Sequence, residues 1–120
     1  MLNKVNLAES LASFSETWTP KIAGDVNDFH VKLAKLDGAF VWHQHDTQDE
    51  FFLVIKGRLT MRLRDGDVEV NEGEFIIVPH GTEHMPVADE ETHVLLFEHA
   101  TTINTGNVVN ERTIAHPERL

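Results

Sequence analysis

The chain has 120 residues, with 20 acidic and 10 basic side chains, a net charge of −10 with histidine neutral, 41% hydrophobic residues and no cysteine. That length holds one domain, residues 1–120, and the composition is that of a globular chain. Disulfides, iron–sulfur clusters, thiol catalysis and cysteine zinc sites are excluded. An acidic surface without a basic run also argues against nucleic acid and anionic membranes as partners. No stretch reaches the length of a membrane span. Asn6, Glu9, Ser10 and Ser13 interrupt any secretory-type apolar segment, so the expected address is the cytoplasm.

In chain order, Leu7, Leu11 and Phe14 follow helical spacing, predicting a short amphipathic helix over 3–14 that Thr19-Pro20 ends. Val26 to Leu36 reads as a strand or hairpin arm, with Asp37-Gly38 as a turn. Phe40 to Asp46 and Glu50 to Lys56 read as strands. Arg58 to Arg64 alternates apolar and polar, which marks a half-buried strand. Asp65-Gly66-Asp67 turns the chain into Val68 and Val70. Phe75 to Val78 is a short buried strand. His84 to Ala88 and Thr92 to Glu98 read as a hairpin around the acidic turn Asp89-Glu90-Glu91. The tail 101–120 is polar, with a weak strand near Thr113–Ala115. About eight short strands with no long helix predict an all-β antiparallel sandwich or barrel.

The chain has eight histidines, and their placement carries the chemistry. His43 and His45 are two apart on an expected strand, so both side chains share a face. Glu50 starts the next strand, and His84 follows the tight Pro79-His80-Gly81 turn. Three neutral imidazoles and a carboxylate suit a first-row divalent metal. Taken alone, an H-x-H pair fits two polar residues on a sheet face equally well.

The framing of these residues resembles the cupin superfamily. Gly38, four residues, His43-Gln44-His45, four residues, Glu50, six residues and Gly57 match its first motif, with Asp37 standing where that motif's glycine falls. Gly73, five residues, Pro79-His80-Gly81, two residues and His84 match the second, with Ala88 in place of a terminal asparagine. The motifs span residues 37–88, and the strand pattern extends the likeness to about 25–99. The resemblance implies a small jelly-roll β-barrel and His43, His45, Glu50 and His84 as ligands of one divalent transition metal per chain, with iron, manganese, nickel or zinc left open.

Strand phase predicts Ala39, Val41, Phe52, Val54, Leu59, Met61, Leu63, Pro86 and Ala88 inside the barrel, with Phe52 and Met61 as walls of a substrate pocket. No lysine or arginine is expected to point inward. Short cupins often carry the label mannose-6-phosphate isomerase-like, and the missing inward cation argues against such a phosphate substrate. Phe40, Trp42, Phe51, Leu53 and Ile55 are expected outside. That patch calls for cover by the N-terminal helix or by a second subunit, hence an expected homodimer, with the tail Asn104-Thr105-Gly106-Asn107 reaching across to the partner. His80, Glu83 and Glu98 are acid/base candidates whose facing the pattern leaves open, so no catalytic residue is assigned. Two functions remain: a metal-dependent oxidoreductase, isomerase or lyase acting on a small organic molecule, or a non-catalytic metal- or ligand-binding sensor or storage protein.

Overall fold

A computed structural model describes residues 2–120. The elements are α1 (Leu7–Ala12), β1 (Lys21–Val26), β2 (Phe29–Ala39), β3 (Glu50–Lys56), β4 (Arg58–Leu63), β5 (Gly66–Asn71), β6 (Phe75–Val78) and β7 (His84–His99). The strands form a jelly roll that is not a closed barrel, in the order β1-β2-β7-β3-β6, with β4 and β5 branching from β7. All these pairings are antiparallel.

β7 is the spine. One edge pairs with β2 along nearly its whole length. The other edge pairs with β3 over His93–Phe97 and with β4 over His84–Val87. The expected turn at Asp89-Glu90-Glu91 is therefore not a turn: these acids are exposed positions in a continuous strand. Thr92 fixes this stretch. It is fully buried, and its Oγ1 bonds the Arg58 and Glu90 carbonyls while accepting from the Arg58 N–H. Gly57 sits against that hydroxyl at φ +93, where a Cβ would lie 2.6 Å from Thr92 Oγ1. The first motif's last glycine is thus required by close approach as well as by backbone conformation.

Other expectations shift as well. The helix is shorter than 3–14, because Asn6 caps it by accepting from the Glu9 N–H and Ser13 ends it. The chain before Val26 forms β1, which the polar Gly24-Asp25 pair concealed, and Asn27 turns it into β2 at φ 53. Asp37-Gly38 is not a turn but lies inside β2 at a register shift with β7, where residues 89–91 of β7 are the extra, unpaired ones. Ala39 is exposed, not inside, because residues 40–42 are not regular strand and alternation does not carry back from His43. Residues 113–115 form no strand.

The interior cluster includes Leu36, Phe52, Val54, Leu59, Met61, Val70, Val94 and Leu96. A second cluster lies on the outer sheet face, where Leu7, Leu11 and Phe14 of the N-terminal segment pack on Leu33, Ile55 and Leu95. The helix therefore covers the Ile55 end of the expected outer patch. Phe75 and Ile77 on β6 remain 60% and 53% exposed.

A candidate metal centre inside the jelly roll

His43 and His45 lie on the segment between β2 and β3, which is extended but not a regular strand as expected. It joins the sheet through the His43–His84 bridge, in which the two backbones exchange N–H···O bonds of 3.0 and 2.9 Å. Pro86, two residues along β7, has no N–H to continue that ladder, though its carbonyl accepts from the Phe40 N–H. Glu50 opens β3 and His84 opens β7. The Pro79–Glu83 connection is pinned twice: Gly81 N–H donates to the His45 carbonyl, and Asp49 Oδ1 accepts from both the backbone N–H and the ring Nδ1 of His80. Asp49 and His80 are therefore a loop clasp, exposed and turned away from the centre.

The four predicted ligands converge. One donor atom from each of His43, His45, Glu50 and His84 lies within 4.8 Å of the others, and none of these residues is more than 4% exposed. His43 Nδ1 and His84 Nδ1 each bond a backbone carbonyl, those of Val41 and Thr82, at 2.8 Å. Those bonds orient the rings and leave each Nε2 lone pair free for a ligand bond. Glu50 Oε1 stands 3.2 Å from His45 Nε2 and 3.4 Å from His84 Nε2. Yet all three of those atoms are buried without a hydrogen bond of acceptable geometry. Buried polar atoms are normally satisfied. Three orphans aimed at one point fit an ion that completes them.

Electrostatics agree. Burial, reinforced by the neighbouring His84, lowers the His43 pKa to about 4, so its imidazole is neutral at pH 7, the ligand form. Burial alone pushes the Glu50 carboxyl up, but contacts with His45 and His84 outweigh it and hold Glu50 below the usual carboxylate range.

A further buried pair stands beside this group. Glu98 on β7 lies against Glu50, and its Oε1 receives Lys32 Nζ from β2 at 3.0 Å, both side chains being at most 3% exposed. Burial and the nearby Glu50 raise the Glu98 pKa well above its ordinary value, with Lys32 opposing. Two buried carboxylates face one ammonium, so full ionisation leaves an excess negative charge inside the protein, which is costly unless a proton or a cation compensates it. A divalent cation on the four ligands fits this donor set. Lys32 also corrects the expectation of no inward cation: β2 carries a lysine inside, committed to Glu98. No sequence pattern separated Lys32 from the outward-facing lysines, but Glu98 shares the inward parity of His84 on β7.

His43, Glu50 and Glu98 line one end of a small cavity that is partly open to solvent. Its other walls are mainly apolar, among them Trp18, Phe40, Phe52 and Leu96, with Asn104 at the rim. Phe52 lines this cavity, whereas Met61 is fully buried in the core and is not among the lining residues. Phe40, expected outside, faces the cavity because residues 40–42 are not regular strand and alternation does not carry back from His43, and Trp18 stacks on it at 4.7 Å. The cavity is narrow. The centre of a water molecule reaches only about 40 Å³ of it, which selects small or flat occupants.

The tail packs back on its own chain and closes one side. Asn107 N–H donates to the Gln44 carbonyl and its Oδ1 accepts from the Gln44 N–H, both at 2.9 Å. Arg112 donates to the Ala39 carbonyl beside Phe40.

The model for the cupin domain matches residues 29–100, more than half of the chain. The chain belongs to the cupin family. A solved structure of a cupin-2 domain protein from Shewanella frigidimarina superposes with a TM-score of 0.78 and 36% identity, covering 79% of this chain and 93% of that one. YdbB, an uncharacterized protein of Bacillus subtilis, is 34% identical over 76 residues, 62% of this cupin and 67% of the relative. The 3-hydroxyanthranilate 3,4-dioxygenase 2 of Aspergillus fumigatus is 30% identical over 78 residues, 60% of this cupin. The match spans only 40% of that dioxygenase's length. No helix among the described residues is long and apolar enough to cross a membrane.

Proposed function

We propose that this cupin is a metal-dependent enzyme acting on a small, largely apolar organic molecule, with one divalent transition metal held by His43, His45, Glu50 and His84. The observation that carries the reading is the trio of buried, unpartnered ligand atoms beside a cavity with mainly apolar walls. A first-row ion there would supply Lewis acidity, and redox capacity where it is iron or manganese. The chain's own residues orient the His43 and His84 imidazoles through the Val41 and Thr82 carbonyls, keep His43 neutral by burial, and exclude bulk water with Trp18, Phe40 and Phe52. Similarity to a dioxygenase over the cupin domain supports oxygenase chemistry ahead of isomerase or lyase chemistry.

The narrowness of the cavity favours a second reading, a metal-binding sensor or storage protein without turnover. The exposed Phe75 and Ile77, beside the half-buried Phe51 and Leu53, support a homodimer through the outer sheet face. The charge and the absence of a basic run support the cytoplasm as the working compartment.

Elemental analysis of tag-free protein, purified without chelating resin, is the first test. About one equivalent of iron or manganese supports redox chemistry. Nickel or zinc supports Lewis-acid chemistry or metal handling. A protein that carries no metal and takes none up refutes the reading.

A further inference from the structure

The rim of the cavity carries a charge that the metal centre does not use. Asn104, which lines the cavity, donates from Nδ2 to the Arg112 carbonyl and accepts the Ile114 N–H on Oδ1, both at 2.8 Å. That folding of the tail puts the Arg112 guanidinium 5.6 Å from the ring centroid of Phe40, a second lining residue. Its Nη1 donates to the Ala39 carbonyl at 2.8 Å, which uses one of the five donors a guanidinium offers. Arg58, Arg62, Arg64 and Arg119 each have a carboxylate within 3.7 Å. Among the described residues no carboxylate pairs with Arg112, although the chain has 20 acidic side chains against 10 basic ones. Arg112 is half-buried, so its charge is less screened than that of a fully solvated arginine.

We infer that Arg112 is a specificity-determining residue whose guanidinium holds the carboxylate of the bound molecule at the rim, while the apolar body of that molecule fills the cavity. The inference rests on the proposed metal-centre reading and narrows its substrate class to a small organic acid. The reverse orientation would bring the carboxylate to the inner end, beside the acids Glu50 and Glu98. A net charge of −10 also repels an anion at long range, so a local cation is needed to admit one. The planar fork of an arginine matches a carboxylate in two parallel hydrogen bonds, which a neutral ligand cannot exploit.

The test titrates the full-length chain at pH 7 with benzoate and with benzamide, its neutral analogue of similar shape. Amide NMR shifts follow binding to the metal-free protein and calorimetry follows binding to the zinc-loaded one. The metal-free native chain is expected to prefer benzoate about tenfold, as one charge-assisted contact supplies, and the preference should shrink as sodium chloride is raised. Arg112→Gln keeps a donor for the Ala39 carbonyl, so a residue that only anchors the tail would leave the preference intact. The expected result is instead its loss, with benzamide binding and Tm unchanged. Arg112→Lys keeps the charge without the fork and should retain part of it. If the native chain takes up no zinc, the metal reading fails, and the metal-free measurement still decides the role of Arg112. A native chain that binds the probes equally or binds neither overturns the inference, as does an Arg112→Gln variant that keeps the preference. A preference seen only with zinc, and surviving in Arg112→Gln, puts the carboxylate on the ion and overturns it too. If Arg112→Gln does not fold, the salt series decides: a native preference that does not fall with salt overturns it.

Discussion

Gly106 ties the C-terminal tail to the segment that carries two candidate ligands, and replacing it with alanine is a quantitative test of that arrangement. Gly106 sits at φ +56, and a Cβ there would lie 2.2 Å from the Gln44 carbonyl oxygen and 3.1 Å from His43 Cδ2. The left-handed conformation alone costs an alanine about 1 kcal/mol. The contact is with backbone, so it is relieved only by moving the tail away from Gln44. That movement stretches the Asn107–Gln44 pair of hydrogen bonds, both 2.9 Å, worth about 1 kcal/mol each. The expected loss is about 3 kcal/mol, which for a domain of this size is a fall in Tm of about 12 °C. Gly73→Ala is the control, because Gly73 also has positive φ, at +80, but nothing lies within 4 Å of its Cβ. It should lose only about 1 kcal/mol. Urea or thermal unfolding of the metal-free proteins gives both numbers. Zinc titration should show Gly106→Ala weakened at least tenfold through displacement of the His43 ring, with Gly73→Ala unchanged. Equal destabilisation by the two substitutions, or unaltered zinc affinity in Gly106→Ala, would refute the view that the tail braces the ligand segment.

Zinc at about a hundred times its dissociation constant should stabilise the native chain by about 2.7 kcal/mol, or roughly 10 °C in Tm, and His45→Ala should abolish most of that gain. A shift that survives in His45→Ala would place the ion elsewhere. The low pKa of His43 makes a pH prediction for the metal-free protein. With a folded value of about 4 against 6.5 unfolded, the unfolded chain binds the proton first, so this group's contribution is fully present above pH 6.5 and is lost as pH falls toward 4. The loss is about 3 kcal/mol. The raised pKa of Glu98 acts with the opposite sign, stabilising the fold as pH falls, so the measured quantity is the difference between native chain and His43→Gln in urea midpoint from pH 7 to 4. A pH-independent difference would contradict the assignment. Placing charge on the exposed β6 face with Phe75→Glu and Ile77→Lys together should convert a dimer to a monomer in sedimentation analysis while leaving zinc binding intact, and a native chain that sediments as a monomer at all concentrations would remove the dimer.

The ligand set was legible in the chain because a metal centre needs particular donors at particular spacings, and those spacings are local. His43 and His45 need only extended backbone to share a face, and they do so although their segment is not a regular strand. Gly57 and the Pro79–Gly81 turn announce themselves because few other residues adopt those conformations. Alternation from Arg58 to Leu63 likewise predicted a strand with Leu59 and Met61 buried. The sequence by itself thus determined an all-β cupin and the four residues that could hold a metal ion. Tertiary structure alone decided what surrounds them. Phe40 turned inward where residues 40–42 leave regular strand, and Trp18 reached the cavity by stacking on it across a separation of 22 residues in the chain. Lys32 and Glu98 are 66 positions apart and become one buried pair only because β2 and β7 are neighbours. Acidic residues 89–91 look like a turn in isolation, yet pairing on either side of them, at Ala88 and Thr92, keeps them within a single strand. Local pattern encodes the conformation each residue can adopt, whereas contact between distant segments depends on which strands pair, and no single segment contains that information.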